Sequence, residues 1–101
     1  MRIAIVDDIK EERAVLYRWL CNQLSKRNIP ADLVEFESGE EFFLAEKEHP
    51  FTVVFLDIYM NGANGIEIAK KLRKTNSDCF LIFTTTSTDH ALDGFRVRAL
   101  H

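Results

Sequence analysis

The sequence predicts an α/β fold: a doubly wound parallel sheet with helices on both faces, three layers in all. Two observations carry that expectation. Strand-sized apolar runs alternate with segments of helical periodicity in the order β-α-β-α-β-α-β-α. The strand-like runs are also continuously apolar, as strands buried on both faces of a parallel sheet must be.

Residues 2–7 open the chain as a continuous apolar strand ending in Asp7 and Asp8. Residues 10–27 read as a helix, with Leu16, Leu20 and Leu24 at successive four-residue steps and Val15 and Trp19 beside them. Trp19 is assigned to the core on that periodicity. Asn28 and Pro30 stop the helix. Residues 31–37 alternate, as a half-exposed edge strand does. Ser38-Gly-Glu-Glu41 is a capping box opening a short helix. His49-Pro50 closes it, because the residue before proline avoids the helical region. Residues 51–57 form the most apolar strand and end at Asp57. Asn64-Gly-Ile-Glu67 starts the next helix, with Ile68, Ala69 and Leu72 inward and Lys70, Lys71, Arg73 and Lys74 as its solvated face. Residues 79–84 form a further apolar strand, and residues 88–98 read as a weaker helix containing Gly94.

Bulk properties narrow the classes. A chain of 101 residues with 47% hydrophobic content folds as one domain, residues 1–101. A net charge of −3 gives no broad basic surface for nucleic acid. The apolar runs are too short to span a membrane, and Met1-Arg2-Ile3 enters a strand without a signal-peptide layout. Cys21 and Cys79 lack metal spacing and are read as buried small hydrophobes in a reducing cytosol. His49, His90 and His101 stand at no catalytic spacing.

The chemistry gathers at the strand ends. In open parallel sheets, ligands sit beyond the carboxyl ends of the strands, where the strand order reverses. Asp7, Asp8, Asp57 and the run Thr84-Thr85-Thr86 all fall at that edge. A carboxylate ending a buried strand is costly unless compensated. Three of them from two strands point to a shared cation, and an all-oxygen site suits Mg²⁺. Capping of the first helix accounts for one of the first pair, and does not account for Asp57.

These residues resemble the receiver domain of a two-component response regulator. The resemblance rests on Ile3-Ala-Ile-Val-Asp-Asp8, on Phe55-Leu-Asp57-Ile-Tyr-Met60 with Gly65, and on Leu81-Ile-Phe-Thr-Thr85. It implies a flavodoxin-like sheet in the order 2-1-3-4. It also implies that Asp57 is the phosphoacceptor for a sensor histidine kinase. Asp8, Asp57 and the backbone carbonyl of Tyr59 then hold Mg²⁺, with Asp7 acting through a water. Thr85 hydrogen-bonds the phosphoryl group as the switch residue, with Thr84 and Thr86 as adjacent alternatives. Such a receiver is cytoplasmic and turns over no independent substrate. The stretch Ala91–Ala99 is similar to receivers that carry a LytTR-type DNA-binding domain, and DNA contact then belongs to that output domain, outside these residues.

There are departures from the family pattern. Asn61 stands where a proline is usual, Asn64 where an acidic residue is usual, and Thr86 where a smaller residue is usual. The family continues past His101 into a fifth strand, a phosphoryl-binding lysine and a fifth helix. Without them, the strand at 79–84 is expected to be a bare apolar edge, open to homodimers or strand exchange, and the alternative function is an inactive receiver-like interaction module. Two other readings fit less well. Haloacid-dehalogenase-like phosphohydrolases want an Asp where Tyr59 stands, and Asp7-Asp8-Ile9-Lys10 is acidic and glycine-free, unlike a dinucleotide phosphate cradle.

Overall fold

The computed structural model describes residues 1–60, 63–85 and 96–100, with side chains described at 1–60 and 64–84. The elements are β1 (Arg2–Val6), α1 (Lys10–Lys26), β2 (Asp32–Phe36), α2 (Gly39–Glu48), β3 (Val53–Asp57), β4 (Tyr59–Met60), β5 (Ala63–Asn64), α3 (Gly65–Thr75), β6 (Phe80–Thr85) and β7 (Arg96–Leu100). The main sheet has the order β2-β1-β3-β6-β7, and β4 and β5 form a separate hairpin. Its four strands β2, β1, β3 and β6 are parallel and stand in the order expected from the sequence.

The inside-out logic is plainest in β1. Ile3 and Ile5 point to one face and join Leu16, Leu20 and Phe55 under α1. Ala4 and Val6 point to the other and join Phe42, Leu56, Ile68 and Leu72 under α2 and α3. A strand buried on both faces cannot alternate polar and apolar residues, which explains its uninterrupted run. Phe36, Phe42 and Phe51 pack with ring centroids 5.7 Å apart, two of the pairs edge to face.

Helix boundaries follow their caps. The Ser38 hydroxyl accepts the Glu41 amide at 3.2 Å, and the Asn64 side chain accepts the Ile66 amide at 2.8 Å. Asn28 takes a φ of 54°, the left-handed conformation that ends α1.

Several expectations are corrected. Trp19 is 47% exposed, not core. Leu16, Leu20 and Leu24 define the inward stripe of α1, and at 100° per residue Trp19 and Val15 fall well outside it. Arg73 is not a solvated lysine-like residue, since its guanidinium donates to the carbonyls of Cys79 (2.6 Å) and Ser77 (3.2 Å). Cys79 is buried as expected, whereas Cys21 is only half-buried. Residues 96–98 lie in a strand rather than a helix, and the rest of the expected 88–98 helix lies outside the described residues. The edge of β6 is therefore not bare: β7 pairs with it antiparallel, Leu81 opposite Leu100 through Thr85 opposite Arg96. The ladder satisfies backbone groups that an open edge would leave to solvent or to another chain. The expectations for Asn61, Thr86, His90 and His101 lie outside the described residues.

Candidate metal and phosphoryl site

The parallel register of β1 and β3 aligns Val6 with Leu56, so Asp7 and Asp57 emerge side by side at the carboxyl end of the sheet. Both are buried, at 6% and 4% exposure. A one-residue slip of either strand would turn its carboxylate away from that edge.

Local hydrogen bonds orient both groups. The Ile9 amide donates to Asp7 Oδ1 at 2.9 Å, and the Tyr59 amide donates to Asp57 Oδ1 at 3.3 Å. Arg13 donates to the Asp7 carbonyl at 2.6 Å and pairs with Glu35 at 3.4 Å, tying the first turn of α1 to the ends of β1 and β2. Gly65 donates its amide to the Ile58 carbonyl at 2.9 Å, which closes the β4–β5 hairpin against the end of β3.

The structure adds a residue that the sequence reading omitted. Carboxylate oxygens of Asp7, Glu12 and Asp57 all lie within 4.8 Å of one another. Glu12 sits in the first turn of α1, five residues beyond Asp7. Its place on the turn that follows an acidic strand end was the available signal. Asp8 is half-buried and its negative charge acts on Asp57, but it is outside that group of three. Thr84 is buried and pairs with Asp57 in the sheet register, and Thr85 follows as the last residue of β6. Tyr59 opens the β4–β5 hairpin and is 76% exposed.

The electrostatics of the cluster are those of crowded, desolvated acids. Burial pushes Asp7 from 3.8 up to about 7, with the charges of Asp57 and Glu12 adding to the effect. Burial also lifts Asp57 to about 6, against the bond from Tyr59, with Glu12 and Asp8 adding repulsion. Glu12 Oε2 is buried with no hydrogen-bond partner. A buried carboxylate oxygen without a donor, beside two carboxylates in difficulty, fits a divalent cation. Asp7, Glu12 and Asp57 are thus carboxylates that could hold such an ion, each offering one oxygen to it.

A parallel sheet in this order, with acidic residues at the carboxyl ends of its two central strands, defines a receiver-type α/β domain. The chain belongs to the response regulator receiver domain family, whose model matches residues 3–100. It is 32% identical to the sensory transduction protein LytT of Bacillus subtilis over 99% of this chain and 40% of that protein. It is 31% identical to the sensory transduction protein LytR of Staphylococcus haemolyticus over 99% of this chain and 38% of that protein. The chain thus spans about two-fifths of these curated relatives. Among solved structures it resembles the Thermotoga maritima response regulator TrrA in complex with Mg²⁺ and BeF, with a TM-score of 0.73 and 29% identity over 91% of this chain and 76% of that one. TrrA in complex with the histidine kinase ThkA superposes with a TM-score of 0.71 at 28% identity, over the same shares of the two chains. No described helix is long and apolar enough to cross a membrane.

Proposed function

We propose that Asp57 accepts a phosphoryl group from a phosphohistidine of a sensor histidine kinase. The observation that carries this reading is the buried Asp57 carboxylate at the end of β3, held within 4.8 Å of two further carboxylates. An Asp57 oxygen forms the new O–P bond as the P–N bond to the kinase imidazole breaks, and the electron pair leaves with that nitrogen. The Tyr59 amide fixes one carboxylate oxygen, which sets the approach of the other. With a pKa lifted only to about 6, Asp57 is largely ionised, and so nucleophilic, at neutral pH.

Asp57, Asp8 and the Tyr59 carbonyl, with Asp7 acting through a water, are the groups that would hold Mg²⁺. When bound, Mg²⁺ neutralises charge on the transferring phosphoryl oxygens. Thr85, next to the buried Thr84, donates its hydroxyl to the phosphoryl group. The domain modifies itself and turns over no separate substrate.

In this reading the partner is a histidine kinase, in keeping with the TrrA–ThkA complex, and the domain is cytoplasmic. The kinship with LytT and LytR supports a transcription regulator whose DNA contact lies in a LytTR-type output domain outside this chain.

Incubation with acetyl phosphate and Mg²⁺, followed by intact-mass measurement, tests the reading. One added phosphoryl mass, lost in hydroxylamine, is expected. The same mass on Asp57→Asn would rule out the acceptor assignment. No modification of the wild-type chain would favour a receiver-like module that acts by protein contact alone.

A further inference from the structure

We propose that Glu12 is a further carboxylate ligand of the cation site, an inference that rests on the cation reading of Asp7 and Asp57. Glu12 occupies the third position of α1, behind the cap residue Ile9. A glutamate at that position ordinarily reaches back to the amide of the cap residue. Here that amide is already taken, because Ile9 donates to Asp7 Oδ1 at 2.9 Å. The side chain of Glu12 is thereby released from capping and turns to the strand ends, within 4.8 Å of both Asp7 and Asp57.

A favourable interaction with the helix dipole does not explain this placement. An exposed carboxylate in the first turn gains that interaction, and Glu11 provides one in solvent. Glu12 instead carries a buried oxygen with no hydrogen-bond partner into a site that already holds two buried acids. The adjacent cation does not neutralise it, since Arg13 is turned to Glu35 and to the Asp7 carbonyl. Three converging carboxylates, with one Glu12 oxygen lacking a donor, are tolerable when a divalent cation stands among them.

The third carboxylate has a specific effect. It strengthens cation binding, and it adds repulsion toward an incoming phosphoryl dianion when the cation is missing. Glu12 therefore makes phosphoryl acceptance more strictly dependent on the metal than two carboxylates would.

Calorimetric titration of MgCl₂ into the wild-type chain, Glu12→Gln and Glu11→Gln, paired with thermal melts in EDTA at alkaline pH, tests this. Glu12→Gln should weaken Mg²⁺ binding about tenfold, the scale typical of losing a group at a metal site. The same variant should melt higher than wild type without metal, because a like charge is gone. Glu11→Gln, with the same change in net charge, should keep wild-type affinity. Wild-type affinity in Glu12→Gln, or a lower metal-free melting temperature, would overturn the role of Glu12 and leave the site itself standing. An absence of saturable Mg²⁺ binding in the wild-type chain would overturn the cation reading together with it.

Discussion

Gly65 lies so close to Asp57 that a β-carbon on it would overlap the Asp57 carbonyl oxygen and stand 2.8 Å from the Cα of Ile58. The start of α3 is thus pressed onto the backbone that carries the candidate phosphoacceptor. Gly65→Ala must displace one or the other. We expect a loss of about 2 kcal/mol in denaturant unfolding, within the usual range for overpacking against backbone. Mg²⁺ affinity should fall with it, because the Asp57 carbonyl and carboxylate share one residue. Unchanged stability and affinity would mean that the contact relaxes freely.

The metal-free chain should lose stability as pH rises. Asp7 at about 7 and Asp57 at about 6 both stand above the usual 3.8. Between those values the folded state binds more protons than the unfolded one, so the slope of stability with pH is negative. The penalty is absent below pH about 4 and complete above pH about 7. The melting temperature in EDTA should fall by several degrees across this window, and saturating Mg²⁺ should recover the loss at the alkaline end. A flat profile in EDTA would contradict the raised pKa values.

Glu46 should prove structurally indispensable. It is buried at 5% exposure, accepts the Phe51 amide at 2.8 Å and accepts the Asn76 side chain at 2.7 Å. Glu46→Ala strands both donors and should cost about 2 kcal/mol or more, the scale for hydrogen bonds to a buried charge. Glu46→Gln should cost less, since one acceptor survives. Equal unfolding midpoints for Glu46→Ala and wild type would show that water replaces the carboxylate.

Deleting residues 96–101 should expose the backbone edge of β6 that β7 covers. Sedimentation should then show concentration-dependent association of the shortened chain, with the apolar edge contributing about 25 cal/mol per Å² buried. A shortened chain that stays monomeric and folded would show that β6 tolerates an open edge.

The parallel core and the acidic strand ends were legible because each is written locally. Continuous apolar runs specify strands buried on both faces, and Asp7 and Asp57 terminate two of them. Glu12 and Glu46 were not legible. Each is an acidic residue in a helix, where solvent is the ordinary fate, and only the tertiary packing buries Glu46 and brings half-buried Glu12 against the strand ends. Trp19 misled for the reverse reason: its size favours the core, but its angular position on α1 does not. The strand β7 was hidden because its partner, the edge of β6, exists only once the sheet has formed.

The Glu46–Phe51–Asn76 junction gives the two ends of the sheet opposite characters. Asn76 donates to the Phe51 carbonyl at 3.1 Å as well as to Glu46, so α2, the approach to β3 and the exit of α3 are clasped together by hydrogen bonds. At the far end of β3, Asp57 faces like charges that push apart. Local stability should therefore fall along this single strand. Amide exchange at Phe51 should await global unfolding, whereas amides around Asp57 should open through smaller excursions until a cation arrives. A small domain so built can keep its architecture fixed while one rim alone answers a change in charge.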